Sequence, residues 1–243
     1  MKKVHEYLLI GDGRLASHLS FYFNNLNIDY LKWNRNSDLT LDELILLSNK
    51  ILLAISDNAI EPFIQKKCNF IQDKLIVHFS GSKSIDGAES AHPLMTFGER
   101  LYKSEFYKTI PFITEMGKKT FIELFPELPN PSFKINPTNK PYYHAWCSIA
   151  GNFTTLLWKS FEDRIVNELN LPKKVMIPYL EKIMENLINS NNPLTGPFAR
   201  KDIGTVKMHR AALKDDLFLG IYNEFFNYYF KNLRESQAYR EDS

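Results

Sequence analysis

The stretch LLIGDGRLASHL, residues 8–19, decides the fold class of this chain. An apolar run that breaks at two closely spaced glycines is typical of a buried β-strand that turns sharply into a helix. The turn fits the pattern G-x-G-x-x-G/A, in which the first glycine allows a tight turn, the second lets a pyrophosphate approach, and a small third residue lets helix and strand pack closely. The sequence therefore predicts a dinucleotide-binding turn, with a purely structural turn as the alternative. Its residues are Gly11, Asp12, Gly13, Arg14, Leu15 and Ala16.

Composition and charge are those of an ordinary globular protein. The chain has 243 residues, of which 44% are hydrophobic and 24% charged, and its 30 basic and 28 acidic residues give a net charge of +2. This balance argues against a broad nucleic-acid surface, and no apolar run approaches the roughly 18 residues that cross a bilayer. Cys68 and Cys147 have neither metal-site nor disulfide spacing. We expect a cytoplasmic protein without a bound metal, whose partner is a small molecule rather than nucleic acid or a membrane.

The first half of the chain alternates short apolar runs with amphipathic stretches. The runs predict strands, and the stretches between them predict helices. Alternation of this kind, with nearly continuous apolar strands, is typical of a parallel sheet covered on both faces. The predicted strands are residues 4–10, 28–33, 51–55, 75–79 and 110–114, and the predicted helices are residues 15–24, 40–47 and 59–70.

The second half is helical in pattern. After a proline-rich passage at 125–141, helical spacing predicts a long helix over 142–161 and further helices at 175–188 and 217–230. The sequence thus predicts an α/β domain over 1–137 and an all-helical domain over 138–243. The last helix is rich in aromatic residues, which serve either as internal core or as the surface of a homodimer formed through the helical domain.

The end of the second predicted strand bears on the choice of cofactor. An NAD site has an acid there for the ribose hydroxyl, whereas this chain has Asn34 and Arg35. Arg35, helped by Arg14, is suited to a 2′-phosphate, so NADP(H) is predicted; the alternative is a solvated surface arginine. Ser56 and Asp57 follow the third strand at the same edge, where they either contact the cofactor or, in the case of Asp57, cap the next helix.

Histidine and serine residues follow the next strand. Hydride transfer at a carbon bonded to oxygen or nitrogen needs a partner that moves a proton, and histidine suits that role. His92, before a proline, is the first candidate, with Ser80 or Ser82 as orienting hydroxyls; a structural turn residue is the alternative. His78 lies inside an apolar strand and is interpreted as a satisfied core histidine.

The helical half offers further polar candidates. His144, Ser148 and Asn152 are spaced four residues apart, which places them on one face of the predicted helix. This polar face is either a substrate wall or a hydrogen-bonded packing seam. Arg200 could hold a carboxylate or phosphate of a substrate, or an internal acid. Asp202 is placed to cap a short helix.

Several motifs in order along the chain resemble one family. They are GDGRLASHL, LLAISDNAI, VHFSGS, AHPLMTF, YHAWCSIAGNF and LTGPFARKDIGTVKMHRAAL. Together they resemble Rossmann-like proteins with a DUF2520 C-terminal domain, which are similar in architecture to 6-phosphogluconate dehydrogenase-like and pyrroline-carboxylate reductase-like enzymes. The resemblance implies an NADP-type domain, a helical domain used for dimerisation and an oxidoreductase activity, but it supplies no substrate.

Two wider resemblances suggest roles for single residues. Prephenate dehydrogenases are similar at the histidine-proline stretch, which implies a proton-transfer role for His92. The β-hydroxyacid dehydrogenases have a lysine four residues before an asparagine; Asn152 fits, but Ser148 stands at the lysine position, so their lysine mechanism is not expected.

The expected function is hydride transfer between NADP(H) and a small polar, anionic metabolite bound between the two domains. The alternative is a non-catalytic NADP(H)-binding sensor or scaffold. The candidate catalytic residues are His92, Ser80, His144 and Asn152, and the candidate substrate-binding residues are Ser82, Ser148 and Arg200.

Overall fold

The computed structural model describes residues 3–241, with only the backbone described for Cys68 and for 232–241. Contacts within the chain divide it into two compact units, Met1–Ser160 and Phe161–Ser243. The predicted domain boundary near residue 137 stays a prediction. The helix that follows it begins with Lys140, whose side chain is buried within the first of these units.

A five-stranded parallel sheet forms the centre of the first unit, in the order β2-β1-β3-β4-β5. Ile10 pairs with both Trp33 and Leu53, and Leu53 pairs with His78, so the first four strands end at one edge of the sheet. The loops that follow these strands therefore meet at that edge. The strands are β1 (His5–Ile10), β2 (Tyr30–Trp33), β3 (Ser48–Leu53), β4 (Leu75–His78) and β5 (Glu89–Ser90).

Helices cover both faces of this sheet, as predicted for a Rossmann fold. Alternate residues of each strand point into two separate cores, because side chains alternate across a sheet. α1 (Arg14–Asn25) packs on one face, and α2 (Leu41–Leu46) and α3 (Asp57–Ile71) pack on the other. Each large apolar side chain that is fully buried in this way contributes about 1.5–3 kcal/mol. The first core includes Tyr7, Leu9, Leu19, Phe23, Leu52 and Val77, and the second includes Leu8, Ile10, Leu44, Ile45, Ile51 and Ile60.

A second, three-stranded sheet corrects one expectation. The strand predicted at 110–114 forms as β7 (Phe112–Glu115), but it pairs with β6 (His92–Pro93) and β8 (Ser132–Ile135) rather than with the main sheet. The main sheet instead takes β5 as its fifth strand. A two-residue strand carries no periodicity, so neither β5 nor β6 could be predicted. Two short helices, α4 (Ser104–Tyr107) and α5 (Phe121–Leu124), flank β7.

The long helix predicted after the proline-rich passage is interrupted. It runs as α6 (Lys140–Ser148), one π-helical turn (Ile149–Phe153) and α7 (Thr154–Asp163). A π-turn adds a residue to the helical repeat, so residues four apart across it no longer share one face. Asn152 lies in this turn and is exposed.

The second unit is helical throughout its regular elements, which confirms the predicted helical C-terminal region. Asp202 caps α10 as predicted, because its carboxylate accepts the backbone N–H of Thr205 at 3.0 Å. None of the helices among the described residues has the length and apolarity needed to span a bilayer. The helices are α8 (Ile177–Asn189), α9 (Gly196–Ala199), α10 (Ile203–Ala212) and α11 (Phe218–Glu241).

Candidate functional site

A cavity of about 1050 Å³ opens at the carboxyl edge of β1, β2 and β3. Most of the residues predicted to bind a cofactor line it, and Ala16 and Asp57 do not. Sequence reasoning missed several others on its wall, chiefly on the face of α3 where helical spacing brings Ala59, Pro62, Phe63 and Lys66 together. The predicted residues on the wall are Gly11, Asp12, Gly13, Arg14, Leu15, Asn34, Arg35 and Ser56.

The two glycines of the turn have different surroundings. Gly11 has φ of +139°, and a β-carbon there would lie 2.2 Å from the carbonyl oxygen of Ala54, so glycine is required for both conformation and space. Gly13 precedes α1 in an extended conformation, and a β-carbon there would meet nothing within 4 Å. Ala16 is fully buried against the sheet. Gly11 therefore shapes the turn, and Gly13 leaves room in front of it.

The N-terminus of α1 forms the floor of the cavity beside this turn. No side chain caps it, so its first backbone N–H groups and the positive end of the helix dipole are available to an anion. Asp12 is the one acid in the turn, and Lys32 lies 3.6 Å from its carboxylate. That lysine offsets a charge that would otherwise repel a phosphate.

The far end of the cavity is basic. Asn34 fixes the loop after β2, because its side-chain oxygen accepts the backbone N–H of Asn36 at 2.8 Å. Arg35 in this loop and Lys66 on α3 both line the cavity, and neither forms an ion pair with another described residue. Lys67, by contrast, is paired with Asp42. Lys66 is thus a further cation on the cavity wall that sequence reasoning, which named Arg35 and Arg14, did not find.

Asp57 does not cap α3, contrary to one of the two predicted roles. Ser56 occupies the cap position, and no side-chain cap bond forms. The Asp57 carboxylate instead accepts the hydroxyls of Ser80 at 2.7 Å and Ser82 at 3.0 Å. Ser80 also accepts the backbone N–H of Lys83 at 3.1 Å. These bonds tie the loop after β4 to the start of α3.

His92 lies on β6 in a cluster of aromatic side chains. Its Nδ1 is 2.9 Å from the hydroxyl of Tyr143, and its ring meets that of His144 edge-on, with centroids 5.7 Å apart. Its Nε2 has no hydrogen-bond partner among the described residues and faces Gly81, where a β-carbon would lie 2.9 Å away. Burial lowers the pKa of His92 to about 4, and the nearby His144 and Lys140 reinforce the shift. The ring is therefore neutral at pH 7.

His78 is buried as predicted, but it is not a fully satisfied core histidine. Its Nδ1 accepts the backbone N–H of Ser80 at 3.3 Å, whereas its Nε2 has no hydrogen-bond partner. Burial, with the charge of Lys140 second, lowers the pKa of His78 to about 3. The ring is neutral, and it carries its proton on the unpartnered nitrogen because Nδ1 acts as an acceptor.

A buried ion pair that sequence reasoning missed lies next to these histidines. The Lys140 ammonium is 2.9 Å from Glu115 and also donates to Ser90. Glu115 in turn accepts the hydroxyl of Ser84 at 2.6 Å, and Lys118 lies 3.1 Å away. Burial alone would raise the pKa of Glu115, but the bonds from Ser84 and Lys140 outweigh it and hold that pKa below its ordinary value.

The other predicted site residues are not brought into this cluster. Ser148 is half-buried on α6, Asn152 is exposed in the π-turn, and neither has a bond to His92. Arg200 is exposed in the second unit at the end of α9, where its charge helps to lower the pKa of Asp202. Their roles stay predictions.

The architecture is that of a Rossmann fold followed by a helical region, with a glycine turn of the dinucleotide-binding type. Within this architecture, residues 113–228 match the family model DUF2520, described as a domain of unknown function. This stretch of the chain is therefore similar to that family. No functionally curated protein matches its sequence.

Solved structures share the fold along nearly the whole chain. A provisionally assigned NADP oxidoreductase from Bacteroides fragilis superposes with a TM-score of 0.74 at 19% identity, covering 94% of this chain and 98% of its own. A protein from Thermotoga maritima gives 0.68 at 21%, covering 95% and 99%. Pyrroline carboxylate reductase from Plasmodium falciparum, solved with NADP bound, gives 0.59 at 13%, covering 94% and 96%. At these identities the likeness shows the fold.

Proposed function

We propose that this protein is an NADP(H)-dependent oxidoreductase that transfers a hydride to or from a small polar, anionic substrate. The observation that carries the proposal is the cavity over the glycine turn, which ends at Arg35 and Lys66 and has no acid at the end of β2. A carboxylate there would bind the ribose diol of NAD, whereas a guanidinium and an ammonium are suited to a 2′-phosphate. Two of the three structures above are described in terms of NADP, and they support the same cofactor.

The wall of the cavity suits an elongated dinucleotide. Its volume of about 1050 Å³ lies just above the usual range for small-molecule sites, roughly 300–1,000 Å³. One end offers the N–H groups of α1 to a pyrophosphate, and Leu41, Pro62 and Phe63 offer apolar surface for an adenine near the other. Bound NADPH would supply the hydride.

The proton would come from His92, whose Nε2 has no hydrogen-bond partner among the residues that the structure describes. Placement of the substrate between the two predicted domains, with His144, Ser148, Asn152 and Arg200 on its wall, is part of the proposal. Asp57 holds both Ser80 and Ser82. We therefore give these two serines a role in shaping the loop beside His92.

Binding and turnover test the proposal in sequence. NADPH should bind the intact protein with a change in nicotinamide fluorescence. It should then be oxidised in the presence of at least one member of a panel of small keto acids and cyclic imines. Failure of NADPH to bind would contradict the proposal outright.

A non-catalytic NADP(H) sensor or scaffold is the second candidate. It is favoured by the fact that none of His92, His144 and Ser80 lines the described cavity. Tight NADPH binding with no oxidation across the whole panel would support the sensor and contradict the enzyme.

A homodimer formed through the helical region is also part of the proposal. Tyr142, Trp146 and Phe153 on the stretch from α6 to α7 are 69%, 48% and 54% exposed. A second copy of the chain would cover these large aromatic side chains. Sedimentation should give twice the chain mass of 28.4 kDa, and Trp146→Glu should give the monomer. A monomeric wild type would contradict the dimer.

A further inference from the structure

A hydrogen bond connects α6 to β6. The hydroxyl of Tyr143 lies 2.9 Å from Nδ1 of His92. Among the described residues, neither side chain has another hydrogen-bond partner, so the direction of the hydrogen is set within this pair.

The chemistry of the groups fixes that direction. His92 is neutral, so one ring nitrogen carries a hydrogen and the other accepts. A phenol hydroxyl is a good donor and a poor acceptor, whereas an unprotonated imidazole nitrogen is a good acceptor. Tyr143 therefore donates to Nδ1, and the ring hydrogen of His92 is on Nε2. The bond made by one ring nitrogen generally decides which nitrogen is protonated.

Nε2 is the ring nitrogen of His92 that a ligand could contact. It faces Gly81, where the absence of a β-carbon leaves the space that a side chain would fill at 2.9 Å. The titratable and charged groups that act on His92 are Tyr143 and His144 from α6, Lys140 from the start of that helix and Asp57 from α3. None of them bonds with Nε2.

We propose that Tyr143 is a positioning residue that holds His92 in its Nε2–H tautomer. His92 then presents a proton donor beside Gly81 to the oxygen or nitrogen of a substrate C=O or C=N group. The role toward substrate rests on the proposed function, whereas the tautomer does not.

The proton transfer balances through His92 and Tyr143. A bound reduced nicotinamide would supply a hydride to the substrate carbon; the π electrons of the double bond would then move to its oxygen or nitrogen, and that atom would take the Nε2 proton. Nδ1 would receive the Tyr143 hydroxyl proton, and water would reprotonate the phenolate. Oxidation of an alcohol or amine runs the same steps in reverse.

The tautomer can be measured directly on the whole protein. Long-range ¹H–¹⁵N spectra of histidine-labelled protein at pH 7, with His92 assigned from the spectrum of His92→Gln, distinguish a protonated Nε2 from a protonated Nδ1. We expect protonated Nε2 in the wild type and a mixture of both forms in Tyr143→Phe. Tyr142→Phe, which alters the exposed neighbouring tyrosine, is the matched control and should leave the spectrum unchanged.

Two results would overturn the inference. One is a wild-type His92 protonated on Nδ1, and the other is a Tyr143→Phe spectrum identical to that of the wild type. If Tyr143→Phe does not fold, 3-fluorotyrosine in place of all tyrosines keeps each hydroxyl and makes it a stronger donor. The Nδ1 resonance of His92 should then shift toward the value of a protonated nitrogen, and an unchanged resonance would contradict the inference.

NADPH binding, measured on the same samples, separates this inference from the proposed function. A protein with the Nε2–H tautomer that binds no NADPH would contradict the function and leave the tautomer in place. A protein that binds NADPH with His92 protonated on Nδ1 would do the opposite. Where a substrate is turned over, Tyr143→Phe should lower kcat about tenfold or more while KM changes little, because general acid catalysis contributes roughly 10²–10⁴-fold.

Discussion

The ammonium group of Lys140 lies 2.9 Å from a carboxylate oxygen of Glu115, and both side chains are almost completely buried. The pair joins the start of α6 to the end of β7. It therefore holds the helix that carries Tyr143 and His144 against the sheet that carries His92. Both charges are shielded from water, so each depends on its partners in the protein: Glu115 on Lys140, Lys118 and Ser84, and Lys140 on Glu115 and Ser90.

Breaking this pair from one side should destabilise the protein strongly. Glu115→Leu leaves the Lys140 ammonium buried with the Ser90 hydroxyl as its remaining partner among the described residues, at a cost of about 3–5 kcal/mol in the free energy of unfolding. Lys140→Met leaves Glu115 with Lys118 and Ser84 as partners, so it should cost less but still be clearly destabilising. Removing both charges, in Lys140→Met with Glu115→Leu, should cost less than the two single changes added together. Urea denaturation measures all three variants.

An exposed pair provides the control. Lys108 lies 2.9 Å from Glu105 on the surface, and Lys108→Met should change stability by about 1 kcal/mol or less. A Lys140→Met variant as stable as Lys108→Met would show that the buried pair does not hold α6 in place.

Replacing each of the two turn glycines by alanine should have a different effect. Gly11→Ala places a β-carbon 2.2 Å from a backbone oxygen at a positive φ and should lower the thermal unfolding midpoint strongly or prevent folding. Gly13→Ala meets nothing in the protein and should fold normally, but its methyl group should weaken NADPH binding. Thermal unfolding and NADPH titration of both variants check this, and equal thermal stability of the two would contradict it.

Gly81 should be essential for the use of His92. A β-carbon at position 81 would lie 2.4 Å from Cδ2 of His144 and 2.9 Å from Nε2 of His92, so Gly81→Ala must displace these rings or block the nitrogen. We expect the His92 and His144 ring resonances to shift and turnover to fall, while NADPH binding stays near the wild-type level. Gly98→Ala, where the nearest atom is 4.0 Å away, is the control. Unchanged His92 resonances in Gly81→Ala would refute this account of the contact.

Two buried histidines should make stability depend on pH. The pKa values of His78 and His92 are lowered by burial to about 3 and about 4, whereas the unfolded chain has the ordinary value near 6.5. Between about pH 6.5 and pH 4.5 the unfolded state therefore binds more protons, and stability falls as the pH falls, by up to about 2.7 kcal/mol per pH unit. His92→Gln should reduce that slope by about half, as measured by urea denaturation at several pH values. A free energy of unfolding that is flat from pH 7 to pH 5 would contradict the assignment.

The sequence predicted the parts of the fold that repeat locally. Four strands of the main sheet and the three helices beside them have a hydrophobic pattern that repeats within a few residues. Most of their ends lie within about two residues of the predicted ends. The strands β5 and β6, of two residues each, offer no such signal. The π-turn after Ser148 likewise cannot be recognised from the spacing of polar residues. The predicted polar stripe assumed a continuous α-helix, so it wrongly placed Asn152 on the same face as Ser148.

Only the part of the candidate site formed by residues close together in the sequence could be predicted. Gly11, Gly13 and Arg35 stand at fixed positions relative to β1 and β2, which a motif can encode. Contacts between distant segments could not be predicted: Ser80 bonds with Asp57 across 23 residues, and Tyr143 bonds with His92 across 51. In the sequence, Lys140 cannot be distinguished from a solvent-exposed lysine, because its partner Glu115 lies on the distant strand β7.

The affinities of NADPH and NADH, measured side by side on the wild type, Arg35→Ala and Lys66→Ala, test the central claim most directly. A charge-assisted hydrogen bond contributes about 1.5–3 kcal/mol, which corresponds to roughly a 10- to 150-fold change in Kd. We predict that the wild type binds NADPH at least about tenfold more tightly than NADH. Each variant should lose NADPH affinity while its NADH affinity changes little, and Arg100→Ala, outside the cavity wall, should match the wild type. Equal or tighter binding of NADH, or no binding of either nucleotide, would contradict the account.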